Sequence, residues 1–113
     1  MVRVLVDGMT QYSKGAVFEN SVKHAMERKG YQAFRVAGSH SPVDVVCVGH
    51  GRVVYIQAKI NGVFRVEEWN TFLDFARQAG AIPIMAERGI KYHLITGYKD
   101  GSRSRQPMED WRP

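Results

Sequence analysis

The stretch Pro42-Val43-Asp44-Val45-Val46-Cys47-Val48-Gly49-His50-Gly51-Arg52-Val53-Val54-Tyr55-Ile56-Gln57-Ala58-Lys59-Ile60 holds most of what decides the fold. Val43–Val48 is a short apolar run with one carboxylate, Asp44, at its lip, as in a buried strand. Val53–Ile60 is the next strand, and His50-Gly51 is short enough for a tight turn, so the pair reads as a β-hairpin. Side chains alternate along a strand, which puts Gln57 and Lys59 on one face and Val54, Ile56 and Ala58 on the other. In such a hairpin Asp44 lies across from the Gln57–Lys59 end. An acid, an amide and an amine then converge at one end of two strands. Two readings stay open: a turn-capping Asp at a solvated strand end, or a functional acid.

Working outward, Ser13–Lys29 has helical spacing, with Phe18, Val22, Ala25 and Met26 as its apolar stripe. Ser13 is read as its N-cap and Gly30 as its stop. Val66–Ala79 is a second helix, with Trp69, Phe72, Leu73 and Ala76 on one face and Gly80 as its cap. Residues 2–6, Tyr31–Val36, Ala81–Ala86 and Tyr92–Thr96 are further strand candidates. From Lys99 onward the chain is polar, with Gly101, Pro107 and Pro113, and is expected to be a mobile tail (residues 99–113) behind a folded domain of residues 1–98. The order of elements predicts one α/β domain with a mixed sheet flanked by helices.

At 113 residues there is room for one core. No apolar run reaches the eighteen or so residues of a membrane span, which makes a cytoplasmic protein without a membrane partner the expectation. The single cysteine, Cys47, sits in the apolar run and is read as a small buried hydrophobe. Sixteen basic against 11 acidic side chains give a net charge of +5 and a pI near 9.6. That balance favours a polyanionic partner, nucleic acid or an anionic surface. Residues 99–113 contain four basic and three acidic side chains, so most of the excess charge belongs to residues 1–98.

Glu19 adds to the Asp44 region. On the first helix it falls about 20° from Met26, at the border of the apolar stripe. A carboxylate there costs free energy unless it is paired, bound to metal, or snorkels to solvent. A helix Glu, an Asp at a strand, and Gln57 two residues before Lys59 in the next strand resemble the PD-(D/E)xK nucleases, whose pattern has an Asp or Glu at the place of Gln57. Acidic oxygens suit Mg²⁺, a hard ion. The metal neutralises phosphate and acidifies a bound water, and the lysine steadies charge on the phosphoryl oxygens.

The likeness extends beyond that motif. Ser13-Lys14-Gly15-Ala16-Val17-Phe18-Glu19, then Gly30 to Ser39, Pro42-Val43-Asp44, Tyr55-Ile56-Gln57-Ala58-Lys59, Thr71–Arg77 and Gly80–Ile84 resemble, in order and spacing, the archaeal-type Holliday junction resolvases over roughly residues 13–96. The resemblance implies a restriction-endonuclease-like fold and paired, symmetric nicks in four-way junction DNA. It implies Mg²⁺, with Mn²⁺ able to substitute, held by Glu19, Asp44, Gln57 and the carbonyl of Ala58, with Lys59 as the catalytic amine. Lys14, Asn20, Arg35, Ser39 and His40 would lie toward the DNA.

Three positions depart from the family pattern. Gln57 stands where a carboxylate is usual, Asn20 where an Arg often follows the helix Glu, and His40 near where a Lys is common. These bear on metal affinity and phosphate grip more than on the fold. Other readings are a nuclease of the same type for flaps or DNA ends, and a non-catalytic junction binder. A junction has two-fold symmetry and needs two cuts, whereas the chain has one site, so a homodimer is expected. Trp69, Phe72 and Phe75 are its expected interface, as more aromatic surface than one small core readily covers. His24, His50 and His93 show no metal-ligand spacing and are assigned surface or structural roles.

Overall fold

The computed structural model describes residues 11–37, 41–101 and 106–113. Helix α1 (Gln11–Arg28) leads into β1 (Gln32–Arg35), β2 (Val45–Gly49) and β3 (Arg52–Lys59). Helix α2 (Val66–Ala79) follows, then β4 (Ile82–Glu87), β5 (Lys91–Ile95) and β6 (Met108–Asp110). The strand proposed at residues 2–6 lies outside the described residues, as do Ser39 and His40.

The six strands form one sheet in chain order. All neighbours are antiparallel except β3 and β4, which run parallel and are joined by the α2 crossover. That one parallel pair makes the sheet mixed, as expected. The β2–β3 hairpin turns at His50 and Gly51, whose φ values are 53° and 74°. Positive φ at both central residues is the geometry of a type I′ turn, whose twist matches the flanking strands. His50 tolerates it because its ring is held: Nε2 lies 2.9 Å from the Lys29 carbonyl and the ring meets Tyr31 edge-on. That approach also explains Gly30, at φ 93°, where a Cβ would stand 3.0 Å from the His50 ring.

Helix α2 ends as its sequence foretells. Gly80 takes φ 67°, its N–H bonds Arg77 O, and the Ala81 N–H bonds Ala76 O at 2.8 Å, a Schellman closure. Helix α1 starts earlier than expected. It is already helical at Gln11, so Ser13 lies inside the helix and is not its N-cap.

The sheet has a core on each face. Phe18, Val22 and Met26 of α1 pack on Ala33, Val45, Cys47, Val54, Ile56, Ile84 and Ala86. Trp69, Phe72 and Leu73 of α2 pack with Phe64 on Val43, Met85 and Ile95. Cys47 is fully buried, and burial pushes its thiol up to about 12, so it stays an inert hydrophobe. Trp69 and Phe72 are both 0% exposed. They are core, and the expectation that they form a subunit interface is corrected for both. Truncating either to alanine would cost about 3–5 kcal/mol.

The tail expectation is also corrected. Residues 108–110 add β6 to the edge of the sheet, pairing Met108 with Ile95 and Asp110 with His93. Trp111 then packs edge-on against Tyr92 and under the Arg52 guanidinium, 5.4 Å from its ring centre. Lys99 is anchored too: its N–H bonds Asn70 Oδ1 at 2.8 Å, and its ammonium lies 4.6 Å from the Trp69 ring centre. Among the described residues no helix is long and apolar enough to cross a membrane.

Candidate active site

Asp44 is set by the sheet on both sides. Its N–H donates to Ile56 O and its carbonyl accepts from Val36 N, each at 2.9 Å. The carboxylate therefore stands at the end of β2, facing the end of β3, where the Ala58 N–H donates to Oδ2 at 2.8 Å. The expected convergence of Asp44 with the end of β3 is present. Burial pushes the Asp44 carboxyl up to about 6. The Ala58 N–H pulls the other way, the Glu19 charge raises it further, Lys59 lowers it, and Glu68 raises it. A desolvated acid between two other acids and an amine is the kind of group found at functional sites.

Strand β3 alternates as expected. Val54 and Ile56 are fully buried in the α1-side core and Ala58 packs against it. Tyr55 packs with the α2-side core, and Gln57 lines a cleft of about 300 Å³ with Ser41, Pro42 and three residues of α2, Glu67, Glu68 and Thr71. Gln57 is 7% exposed, and its Nε2 donates to the Pro42 carbonyl at 2.8 Å. That bond fixes the amide and reserves Oε1 as its acceptor. Lys59 reaches Glu68 at the start of α2, with Nζ 3.3 and 3.2 Å from the two carboxylate oxygens. It also lies 5.3 Å from the centre of the Phe64 ring.

Glu19 sits on the other side of the sheet end. Arg35 of β1 donates from Nε and Nη2 to its Oε1, at 3.2 and 3.0 Å, in a partly buried pair. The cost of a carboxylate beside the apolar stripe is thus met by a guanidinium. Lys14 and Asn20 are exposed on α1. The three histidines have other partners: His24 with Glu27, His50 with the Lys29 carbonyl, and His93 with Glu87.

The donors here are oxygens: two carboxylates, one amide and one peptide carbonyl. They suit a hard divalent cation better than a soft one. Among the described residues no three His, Cys, Asp or Glu side chains gather closely enough to hold a metal. Glu68 was not anticipated from the sequence. It stands nine residues beyond Lys59 on a different element, and no motif spacing marks it.

The fold and much of the sequence are matched among known proteins. The family model described as archaeal Holliday junction resolvase (Hjc) matches residues 10–96. Among solved structures, Hjc of Archaeoglobus fulgidus, a Holliday junction resolvase from an archaeal hyperthermophile, is similar at a TM-score of 0.64. The sequence identity is 23%, over 87% of this chain and 84% of that one. No curated protein matches the sequence significantly. The family match covers well over half of the chain, from before Lys14 to beyond β5, and on that ground the chain belongs to the archaeal Holliday junction resolvase family.

Proposed function

We infer that this chain is a divalent-metal-dependent endonuclease that resolves four-way DNA junctions by paired nicks. Junction resolution is the activity that names its family. The observation that carries the reading is the fixed end of the β2–β3 hairpin, where Asp44 is locked to the Ala58 N–H beside Gln57 and Lys59. Mg²⁺ is the ion proposed, with Mn²⁺ as substitute. Glu19, Asp44, Gln57 Oε1 and the Ala58 carbonyl would hold it. When bound, the ion supplies charge neutralisation and an acidified water.

The chain's own residues have separable parts. Lys59 brings an ammonium to the strand end, where it can stabilise negative charge on a phosphoryl oxygen. Arg35, freed from Glu19 when a cation takes that carboxylate, is placed to meet a phosphate. Lys14 and Asn20 extend the DNA-facing surface along α1, and Ser39 and His40, shortly before Asp44 in the sequence, remain proposed contacts.

Two symmetric cuts call for two copies, and the homodimer is kept as part of the reading with a different interface. Phe34 pairs with Val46, and Val48 with Gln32, so these side chains share the α2 side of the sheet. Helix α2 leaves that half uncovered, with Phe34 55% and Val48 43% exposed. Phe75, 46% exposed, follows Glu68 and Thr71 by seven and four residues on the same flank of α2, the flank that meets β3 through Lys59. Phe75 therefore stays in the proposed interface, joined by Phe34 and Val48.

The test is incubation with Mg²⁺ and labelled four-way junction, flap and linear duplex. Symmetric nicks confined to the junction, lost with Lys59→Ala by about 10²- to 10⁴-fold while affinity holds, are the expected result. Cleavage of flaps or ends instead would assign a different substrate. Tight junction binding with no cleavage would make the chain a binder disabled by Gln57.

A further inference from the structure

We propose that Glu68 is a working member of the metal centre, supplying from α2 the negative charge that Gln57 does not bring from β3. The proposal rests on the metal-nuclease reading above.

Three observations converge on Glu68. Its carboxylate is the direct partner of Lys59, with both oxygens within 3.3 Å of Nζ. It lines the same cleft as the Gln57 side chain, so the two approach one space from facing elements. Gln57 itself is neutral and is held by the Pro42 carbonyl. With an acid at position 57, Lys59 would have a carboxylate on its own strand face, two residues away. With an amide there, the nearest carboxylate is the one on α2. The short connection of residues 60–65 keeps the start of α2 beside the end of β3.

The chemistry follows from charge. Glu19 and Asp44 offer two negative charges to a divalent cation, and a hard ion binds more weakly as ligand charge falls. Glu68 restores the third. It does so in direct contact with Lys59, so it also orients the ammonium that must face the phosphate. In its contact with Lys59 it is a positioning residue. Half of its side chain is exposed, at 48%, so it can be replaced without emptying a core.

The experiment reads metal binding without DNA, by calorimetric titration of Mn²⁺ into the full chain. Glu68→Gln should weaken Mn²⁺ binding about tenfold or more, the range for residues that support metal ligands. Glu67→Gln removes the same charge from the same helical turn but not from Lys59, and should stay within about twofold of wild type. Adding Gln57→Glu to Glu68→Gln should restore affinity, because the third charge returns. Equal affinity in wild type and Glu68→Gln would overturn the proposal. So would an equal loss in Glu67→Gln, which would make the effect a general field of the helix start. A wild type that takes up no Mn²⁺ would remove the metal centre and this assignment together, whereas weak binding confined to Glu68→Gln leaves both standing.

Discussion

Arg35 holds a single oxygen of Glu19 through two nitrogens, Nε at 3.2 Å and Nη2 at 3.0 Å. In the sequence the two residues carry separate expected roles, a phosphate contact and a cation ligand. In the fold each occupies the other. If Glu19 takes a cation and Arg35 a phosphate, as proposed, the two events would be coupled, since either would release the other's partner.

Arg35→Ala should therefore act in two directions. Without DNA it should tighten Mn²⁺ binding, because Glu19 no longer has to leave a guanidinium. With DNA it should weaken junction binding and flatten the slope of log K against log salt by about 0.9, one phosphate contact. Calorimetry and a salt series of binding assays measure the two effects. Unchanged metal affinity would mean that Glu19 is not a ligand, and an unchanged slope would mean that Arg35 does not meet phosphate.

A second prediction separates core from interface. Phe34→Glu and Phe75→Glu each place a charge on an exposed apolar side chain, so the fold should persist with Tm within a few degrees. Both should sediment as monomers and lose the pairing of nicks. Phe72→Glu places a carboxylate where the side chain is 0% exposed and should fail to fold. A folded, monomeric Phe72→Glu would contradict the α2-side core. A wild type that is monomeric at micromolar concentration would remove the dimer.

The misreading of Trp69 and Phe72 shows where one sequence stops. Their helical spacing marks a buried face, and Val66–Ala79 with its Gly80 stop is legible residue by residue. What covers that face is not, because Phe64, Met85 and Ile95 come from a loop and two strands brought over it by the crossover. The hairpin was legible for the opposite reason: His50-Gly51 and the two apolar runs are adjacent, so pairing needs no long-range information. Strand β6 was hidden because Met108-Glu109-Asp110 has no apolar alternation, and it is held by backbone pairing to β5 and by Trp111. Glu19, Asp44, Gln57 and Lys59 could be picked out by type and order. Glu68 could not, because its place beside Lys59 exists only once α2 has folded back.

A third prediction concerns Asp44 and pH. A carboxyl whose native pKa exceeds its unfolded value binds its proton more tightly when folded. Stability of the metal-free protein should then be fullest below the ordinary value of 3.8 and fall as pH rises through about 6. Asp44→Asn keeps an oxygen for the Ala58 N–H but has no proton to lose. Its Tm should match wild type near pH 4 and exceed it above pH 7 by several degrees, about 1–3 kcal/mol. It should also be inactive, and Mg²⁺ should raise its Tm less than it raises the wild type's. Parallel melting curves from pH 4 to 8 would show that Asp44 is not desolvated.

Gln57→Glu tests the position that departs most from the family. Gln57 is 7% exposed, and its Nε2 donates to the Pro42 carbonyl at 2.8 Å. Glutamate has no donor to offer, so a carboxylate oxygen would face a carbonyl oxygen in a nearly dry place. Without metal the variant should lose about 1–3 kcal/mol, the cost of an unmatched buried acceptor. A divalent cation relieves that repulsion, so Mg²⁺ should raise its Tm more steeply than the wild type's and at lower concentration. Gln57→Ala loses the same hydrogen bond without gaining charge, and should show the smallest Mg²⁺-induced rise of the three. Thermal unfolding in EDTA and across a Mg²⁺ series measures each arm. Equal stability of wild type and Gln57→Glu in EDTA would show that Pro42 does not hold the amide, and one shared Mg²⁺ dependence for all three proteins would show that position 57 does not touch the metal.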